Sequence, residues 1–580
     1  MNPDSARRAS IVVSLLAAAV SGWIAWHSQR GLETLWDEQV DHDIAVRLVE
    51  HPLTGGDESL DASQMRLPMY VNALAFAVTG RDDLRLSRML SIVAGALTII
   101  ATAALGRACF GPLVGALASI LLGLSPYFLS FERISMTEGD VFVALFATLA
   151  LWAFVRYMQR PNPERWLLAG LLIALAIGSK LFAGYLFIVC AVLTVSSGPS
   201  RSSESAGRVE DLRRLHRLLG INCAVLLGTA IAAYFSKSAA CVGWAIALVI
   251  WLQTTVFVVR QRVMASGRVS RYVAMVAYST AAVCVLMPAH VVDHQIAREV
   301  LRRLLRWDNS FPLALWSDHL RLYAGIILVK LTIPLGVMTA VGLVLAGFRE
   351  RDDGRWRACT LSFVFYVVMI CFLPLRQTFY LMGVYPCMMI VTAGLAVEVG
   401  GWLSRVSRGA ARVWCVVVAA MLVHLGVRVY QGHPWYQLYG YDNVGNRWLG
   451  AESRGYRNLI QTPSDGVESL IKWCSEDGRV KKGDLVVSYL WEAEIIGQAL
   501  PKEPFFAFVP RGVTPASDAV PPAPSIDGAD FVLLHINNLL GYGDLPPDWP
   551  DSEALSARFE VIHTVKRGDF AVGWVYARRE

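Results

Sequence analysis

Residues 84–106 read LRLSRMLSIVAGALTIIATAALG. A run of this length and apolarity crosses a bilayer as an α-helix, which takes roughly 17–25 predominantly apolar residues. The same criterion yields about 13 expected spans along the chain. They lie near residues 10–28, 84–106, 111–130, 138–157, 165–179, 181–197, 218–235, 239–259, 272–290, 320–347, 357–374, 378–399 and 411–429. Composition agrees: hydrophobic residues make up 55% of 580 and charged residues 17%, and the mean hydropathy is +0.44. A soluble protein of this length carries more charge.

The direction of the spans follows from the arginines. With Arg7 and Arg8 in the cytoplasm, every second connection is basic: Arg107; Arg156, Arg160 and Arg165; Arg201, Arg208, Arg213, Arg214 and Arg217; Arg260, Arg262, Arg268 and Arg271; Arg349, Arg351, Arg355 and Arg357; Arg405, Arg408 and Arg412. This is the positive-inside bias, and one missed helix would invert every later loop. The first span reads as a retained anchor, because no small-x-small cleavage site stands at the right distance. Residues 29–83, 131–137, 291–319 and everything after about 430 then face the outside. The outer 291–319 loop breaks the bias with Arg298, Arg302, Arg303 and Arg306 at helical spacing. They are expected either to snorkel at headgroup depth or to hold a lipid phosphate.

Net charge is +6, modest and unevenly placed, which points to topology and lipid contact and away from nucleic acid. The ten cysteines lie mostly inside apolar runs. Only Cys474 falls in the polar C-terminal region, so no disulfide forms within it, and no zinc-type spacing occurs.

Residues 1–430 read as a transmembrane catalytic domain with a long first outer loop, 29–83. Within that loop, residues 66–76 are apolar but short, and are expected to lie along the interface. Residues 431–580 read as a soluble extracytoplasmic α/β domain. Its expected helices run from Asp465 to Cys474 and from Trp491 to Leu500. Its strands are expected at Leu485–Leu490, Phe505–Val509, Asp530–Ile536, Phe559–Val565 and Ala571–Tyr576, with a Pro- and Ser-rich loop from Pro510 to Asp527. The fold class is a multi-pass α-helical integral membrane protein with a C-terminal extracytoplasmic α/β domain.

The candidate chemistry sits on the outer loops. Trp36-Asp37-Glu38 follows the first span directly, and Glu138 opens a later one. Ionisable groups held at membrane depth are expensive and are functional candidates. The alternative for Asp37 and Glu38 is a solvated acidic loop; for Glu138 it is complementing a helix dipole. His290, Asp293 and His294 have a spacing that admits a divalent metal, but suits an interfacial helix end as well. No phosphate-binding glycine loop, dinucleotide fingerprint or internal repeat is present.

These residues carry a resemblance to the GT-C class of membrane glycosyltransferases, the group of the protein O-mannosyltransferases and the lipid A aminoarabinose transferase. The motifs are the acidic pair Asp37-Glu38; the Pro-containing segment from Leu67-Pro68-Met69-Tyr70 to Gly80, followed by Arg88; Arg133 with Glu138 five residues on; Arg376, Tyr380, Tyr385 and Pro386; and the aromatic, Gly-rich stretch 439–445. The chain departs from the family with Leu67-Pro68 where a Pro doublet is common, and with Glu at the second acid.

The resemblance implies an inverting transfer of a hexose or pentose from a polyprenyl-phosphate donor to a protein, lipid or glycan acceptor. It implies a site on the extracytoplasmic face of the plasma (inner) membrane. In that scheme Asp37 is the general base and Glu138 orients the acceptor or a metal ion. Glu38, Arg133, Arg376, Tyr380, Arg302, Arg303 and Arg306 bind substrate, with the arginines neutralising the leaving phosphate. This chemistry requires no cofactor and is compatible with a divalent metal ion. The rival reading is a transporter of an anionic or lipid-linked solute. Against it stand the absence of an inverted repeat and of paired broken helices.

Overall fold

The computed structural model describes residues 3–29, 36–53, 67–134, 140–196, 207–261, 268–293, 295, 320, 323–324, 333–348, 355–371, 378–432, 467–476, 479–480, 484–488, 505–508, 528–535, 552–567 and 570–579. The chain divides into two compact units. One comprises Met1–His27 with Val40–Gln431; the other comprises Ser28–Gln39 with Gly432–Glu580.

The first unit is helical. Its elements are α1 (Pro3–Ser28), α2 (Trp36–Glu50, whose first turn falls in the other unit), α3 (Leu67–Thr79), α4 (Leu84–Phe110), α5 (Pro112–Gly123), α6 (Pro126–Glu132), α7 (Asp140–Gln159), α8 (Pro163–Ser179), α9 (Tyr185–Ser196), α10 (Gly207–Ala233), α11 (Lys237–Gln261), α12 (Arg268–Leu286), α13 (Ala289–Val292), α14 (Ile333–Phe348), α15 (Arg355–Cys371), α16 (Tyr385–Val406) and α17 (Arg408–Gly432). Single 3-10 turns occupy Leu181–Gly184 and Thr378–Gly383. Among the described residues, eight helices are long and apolar enough to cross a membrane, or nine if α5 and α6 form one broken span. The protein is an integral membrane protein with multiple apolar helices. The expected runs 165–179, 181–197 and 357–374 overlap the shorter helices α8, α9 and α15, and α14 overlaps the second half of 320–347, most of whose first half lies outside the described residues.

Two local differences from the sequence reading have clear causes. The run 111–130 is not one straight helix: α5 and α6 meet at a bend of 66°. Pro126 has no N–H to continue the ladder of α5, and Ser125 caps α6 by accepting from the Phe128 amide at 3.3 Å. The first outer loop holds two helices, α2 and α3. Ile44, Ala45 and Leu48 of α2 pack on Met69, Ala73 and Phe76 of α3 and on Leu86 of α4. The low apolar content of α2 hides it from a hydropathy reading.

The start of α4 is set by Asp83. Its Oδ1 accepts from the Leu86 amide at 2.9 Å, and its Oδ2 lies 2.6 Å from Arg81 Nη2. The Arg81 guanidinium holds the Asp83 carboxyl below the usual carboxylate range. The linkage sign follows: this contribution is complete above the unfolded value of about 3.9 and disappears as pH falls through the lower folded value. The side chain is 40% exposed, so solvent screens the ion pair and the cap is the larger effect. Asp83→Ala is expected to cost about 1 kcal/mol, measured as a lower thermal midpoint in detergent. Asp83→Asn should retain most of it; equal losses in both would assign the effect to the ion pair.

The interior of this unit is built from α4, α5, α7, α8 and the first half of α16, where Tyr385 to Ala396 are buried without interruption. The second unit has a five-stranded mixed sheet, with β1 (Leu485–Ser488), β2 (Phe505–Phe508), β3 (Phe531–His535), β4 (Phe559–Arg567) and β5 (Phe570–Arg578) in the order β2-β1-β3-β5-β4. β1 runs parallel to β2 and β3, whereas β5 is antiparallel to β3 and β4. Leu470, Ile471 and Cys474 of α18 (Val467–Glu476) close its core against Val486, Phe531, Leu533, Val565 and Val575. A short helix at Ser552–Arg558, α19, leads into β4. It escapes a pattern reading because it is only seven residues long. The expected helix over 491–500 and loop over 510–527 lie outside the described residues.

Candidate active site

The transmembrane unit buries an ion pair, Asp140–Lys180, in an aromatic setting. α7 and α8 form an antiparallel hairpin, closed at the far end by Asn162, which caps α8 through the Arg165 amide at 2.8 Å, and by Pro163 in its first turn. The hairpin brings Asp140, in the first turn of α7, to Lys180, which follows the last turn of α8. Lys180 Nζ donates to Asp140 Oδ1 at 2.6 Å, with side-chain exposures of 10% and 2%. A carboxylate and an ammonium at this depth persist only as a pair, because each alone would carry the full cost of desolvation.

Rings enclose the ammonium. Lys180 Nζ lies 4.9 Å from the Tyr380 ring centroid and 5.1 Å from that of Phe182. Phe182 meets Tyr366 and Tyr380 edge to face, each at 5.6 Å, and Tyr185 meets Tyr366 at 5.1 Å. The hydroxyls of Tyr185 and Tyr366 are buried with no hydrogen-bond partner among the described residues. Buried hydroxyls are normally paired, so that of Tyr366, which lies within electrostatic reach of Asp140, marks a place where a polar ligand would be accommodated. Tyr127 and Tyr366 both lie within electrostatic reach of Asp140.

α6 forms the neighbouring wall. Ser125 and Tyr385 share a hydrogen bond of 2.6 Å, and the rings of Tyr127 and Tyr385 are 4.8 Å apart. Glu132 is fully buried; its Oε2 accepts from Ser21 Oγ of α1 at 2.7 Å. A Cβ at Gly95 of α4 would overlap the Glu132 side chain, so the close approach of α4 and α6 needs glycine there. Arg133 follows and is also fully buried.

The candidates read from sequence distribute as follows. Tyr380 is buried and stands over the Lys180 ammonium. Arg133 ends α6 in the same unit. Glu38 is fully buried in α2, and Asp41, one turn on, is buried on the same side of that helix. Asp37 falls in the first turn of α2, and its side chain lies outside the described residues, as do Glu138, Arg302, Arg303, Arg306 and Arg376.

Of the metal candidate, His294 lies outside the described residues. Asp293 instead accepts from the Gln295 amide at 2.9 Å and stands 3.5 Å from Lys237 Nζ. Among the described residues no three His, Cys, Asp or Glu side chains are grouped as metal ligands.

Sequence reasoning missed Asp140, Lys180 and Glu132. The signal was present. Asp140 lies inside an apolar run expected to span the membrane, and Lys180 sits between two such runs. A lone charge inside a span is a pointer to a site. Their pairing across 40 residues required the hairpin.

Residues 66–206 match the family model for dolichyl-phosphate-mannose-protein mannosyltransferase. That segment contains α3 to α9, and with them Arg133, Asp140 and Lys180. No curated protein matches the chain. Among solved structures, the apo oligosaccharyltransferase of Archaeoglobus fulgidus aligns over 91% of this chain and 69% of its own, at 10% identity and a TM-score of 0.49. The same archaeon's oligosaccharyltransferase AglB, in complex with an inhibitory peptide and a dolichol-phosphate, aligns over 98% and 74% at 12% identity and a TM-score of 0.46. ArnT from Cupriavidus metallidurans in the apo state aligns over 97% of both chains at 12% identity and a TM-score of 0.32. These structural likenesses are faint. The chain resembles the GT-C membrane glycosyltransferases, as its outer-loop motifs indicate.

Proposed function

We propose that this chain is an inverting glycosyltransferase that moves a hexose or pentose from a polyprenyl-phosphate donor to a protein, lipid or glycan acceptor on the extracytoplasmic face of the plasma (inner) membrane. The observation that carries the reading is the enclosed Asp140–Lys180 pair, with the rings of Tyr380 and Phe182 over its ammonium and Tyr366 within electrostatic reach of its carboxylate, in the interior of an apolar helical unit. Buried charge of this kind is costly and is kept where chemistry or binding uses it. The family match over 66–206 supports the same assignment.

In this scheme the Asp37 carboxylate takes the proton of the acceptor hydroxyl. The acceptor oxygen bonds to the anomeric carbon from the side opposite the phosphate. The sugar–phosphate C–O bond breaks, and polyprenyl phosphate leaves with the electron pair. The leaving group is already a weak base, so cations suffice to stabilise it. Arg376, Arg133 and the Arg302, Arg303 and Arg306 group have that role, with a charge-assisted, bidentate fit to phosphate oxygens. Glu38 and Glu138 line the acceptor side. The Lys180 ammonium holds Asp140 and the Tyr380 ring in place beside the sugar.

The topology that suits this chemistry has about 13 spans, a cytoplasmic N-terminus and residues 431–580 outside as an α/β domain. A reporter fused after Glu580 that works only in the cytoplasm is expected to be silent; activity there would invert the proposed face. The acceptor is to be read by mass spectrometry of surface glycans and lipids from cells with and without the gene. Loss of one glycoform on gene deletion is the expected result, and identical profiles would sink the assignment.

A further inference from the structure

A second polar cluster lies at the end of the transmembrane unit opposite Lys180. The first turns of α1, the last turns of α4 and the first turns of α5 build it. α1 and α5 run side by side in the same direction: Ser14 Oγ is 3.3 Å from Ser119 Oγ, and Ser21 lies against Gly123. One turn back along each helix, Ser10 is level with Gly115. Gly115 is also where Arg107 of α4 lies, since a Cβ there would come within 2.6 Å of Arg107 Cγ. Arg7, one turn before Ser10, is within electrostatic reach of Arg107. Asp4, the nearest acid on α1, lies a further turn back.

The two guanidinium groups here can only donate, and the Ser10 hydroxyl can donate as well. Arg107 Nη1 is shut off from solvent and has no hydrogen-bond partner among the described residues, and the same holds for Ser10 Oγ. No carboxylate is bonded to Arg7 or Arg107 among the described residues. A buried guanidinium N–H without an acceptor is strongly unfavourable, and the Arg7 charge within electrostatic reach adds repulsion to it. An anion between them removes both penalties. The planar fork of arginine fits phosphate oxygens, and a hydroxyl supplies a third donor. α1 and α4 are both long and apolar enough to span a membrane, so their end turns lie at headgroup depth. Basic pockets between spans at that depth suit lipid phosphates.

We propose that Arg7, Ser10 and Arg107 form a phosphate-binding site, filled by the phosphate of a membrane lipid headgroup or by phosphate from the adjoining solution. Native mass spectrometry of the purified full chain, supplied with phosphatidylglycerol or with diacylglycerol, tests the lipid source. The parent is expected to retain phosphatidylglycerol about tenfold more tightly than Arg107→Gln, with no such difference for diacylglycerol, which lacks the phosphate. The thermal midpoint in inorganic phosphate against equal ionic strength of chloride tests the other source. A rise in the parent that is absent in the variant supports the site with phosphate taken from solution.

Arg7→Gln removes an exposed charge and leaves the packing intact, so it reports the same loss even if Arg107→Gln folds poorly. Arg160→Gln, at the same end but outside the cluster, keeps the parental behaviour. If Arg7→Gln and every folded Arg107 variant match the parent in both measurements, the proposal is overturned.

Discussion

Replacing Lys180 with Met is expected to destabilise the protein by about 3–5 kcal/mol, because it leaves the Asp140 carboxylate buried without its cation. The Lys180–Asp140 contact is 2.6 Å, and both side chains are nearly sealed from solvent. An exposed pair of the same geometry would contribute about 0–1 kcal/mol, so burial decides the size of the effect. Unfolding in detergent measures it. The double variant Lys180→Met with Asp140→Leu removes both charges and should recover most of the stability, since an apolar pair of similar volume is often as stable as a buried ion pair. Transfer activity separates structure from function. If the pair serves only to hold α7 to α8, the double variant recovers activity with stability. If Lys180 positions Tyr380 for the sugar, stability returns and activity does not. A single Lys180→Met variant as stable as the parent would show that Asp140 does not carry a buried charge that needs this partner.

Asp37→Asn is expected to slow sugar transfer by roughly 10²–10⁴-fold while folding and donor binding persist. Asparagine keeps the shape and the hydrogen bonding of aspartate but cannot accept the proton of the incoming hydroxyl. The measurement is single-turnover transfer with a polyprenyl-phosphate sugar, alongside donor binding. Near-parental turnover would refute the general-base role of Asp37. Weakened donor binding with an unchanged rate of the bound complex would instead move Asp37 to the binding set. The neighbouring Glu38 is fully buried in α2, so Glu38→Gln also tests how far this helix tolerates a change of charge.

The helices and the candidate residues differ in how legible they are, for a physical reason. Span position depends on the length of one apolar run, which is a local property. The run expected at 84–106 is α4 at Leu84–Phe110, and that expected at 411–429 is α17 at Arg408–Gly432. The C-terminal end of α4 and both ends of α17 extend further because Arg107, Arg408 and Tyr430, with apolar stems and polar tips, continue the helix into the headgroup region. α2 was not legible: its residues are mostly polar, and it is a helix because Ile44, Ala45 and Leu48 find α3. The α5–α6 bend was marked by Ser125-Pro126, yet its angle depends on what α6 packs against, including Tyr385 from 260 residues away.

The sequence by itself determined the class: a multi-pass helical membrane protein with charge confined to loops and helix ends, and outer-loop motifs resembling those of GT-C enzymes. Hydrophobic run length and arginine placement suffice for that, because water and lipid sort residues one segment at a time. Only the tertiary structure decided which rare internal charges meet. Asp140 and Lys180 are each visible as a lone charge within or between apolar runs, but nothing in the sequence pairs them. They become a buried pair because α7 and α8 fold back on each other, and the pair becomes a candidate site because Tyr366 and Tyr380, distant in sequence, join Phe182 from the turn after Lys180 around it. Electrostatic pairing in a medium without water acts over ångströms in space, and distance along the chain carries no information about it.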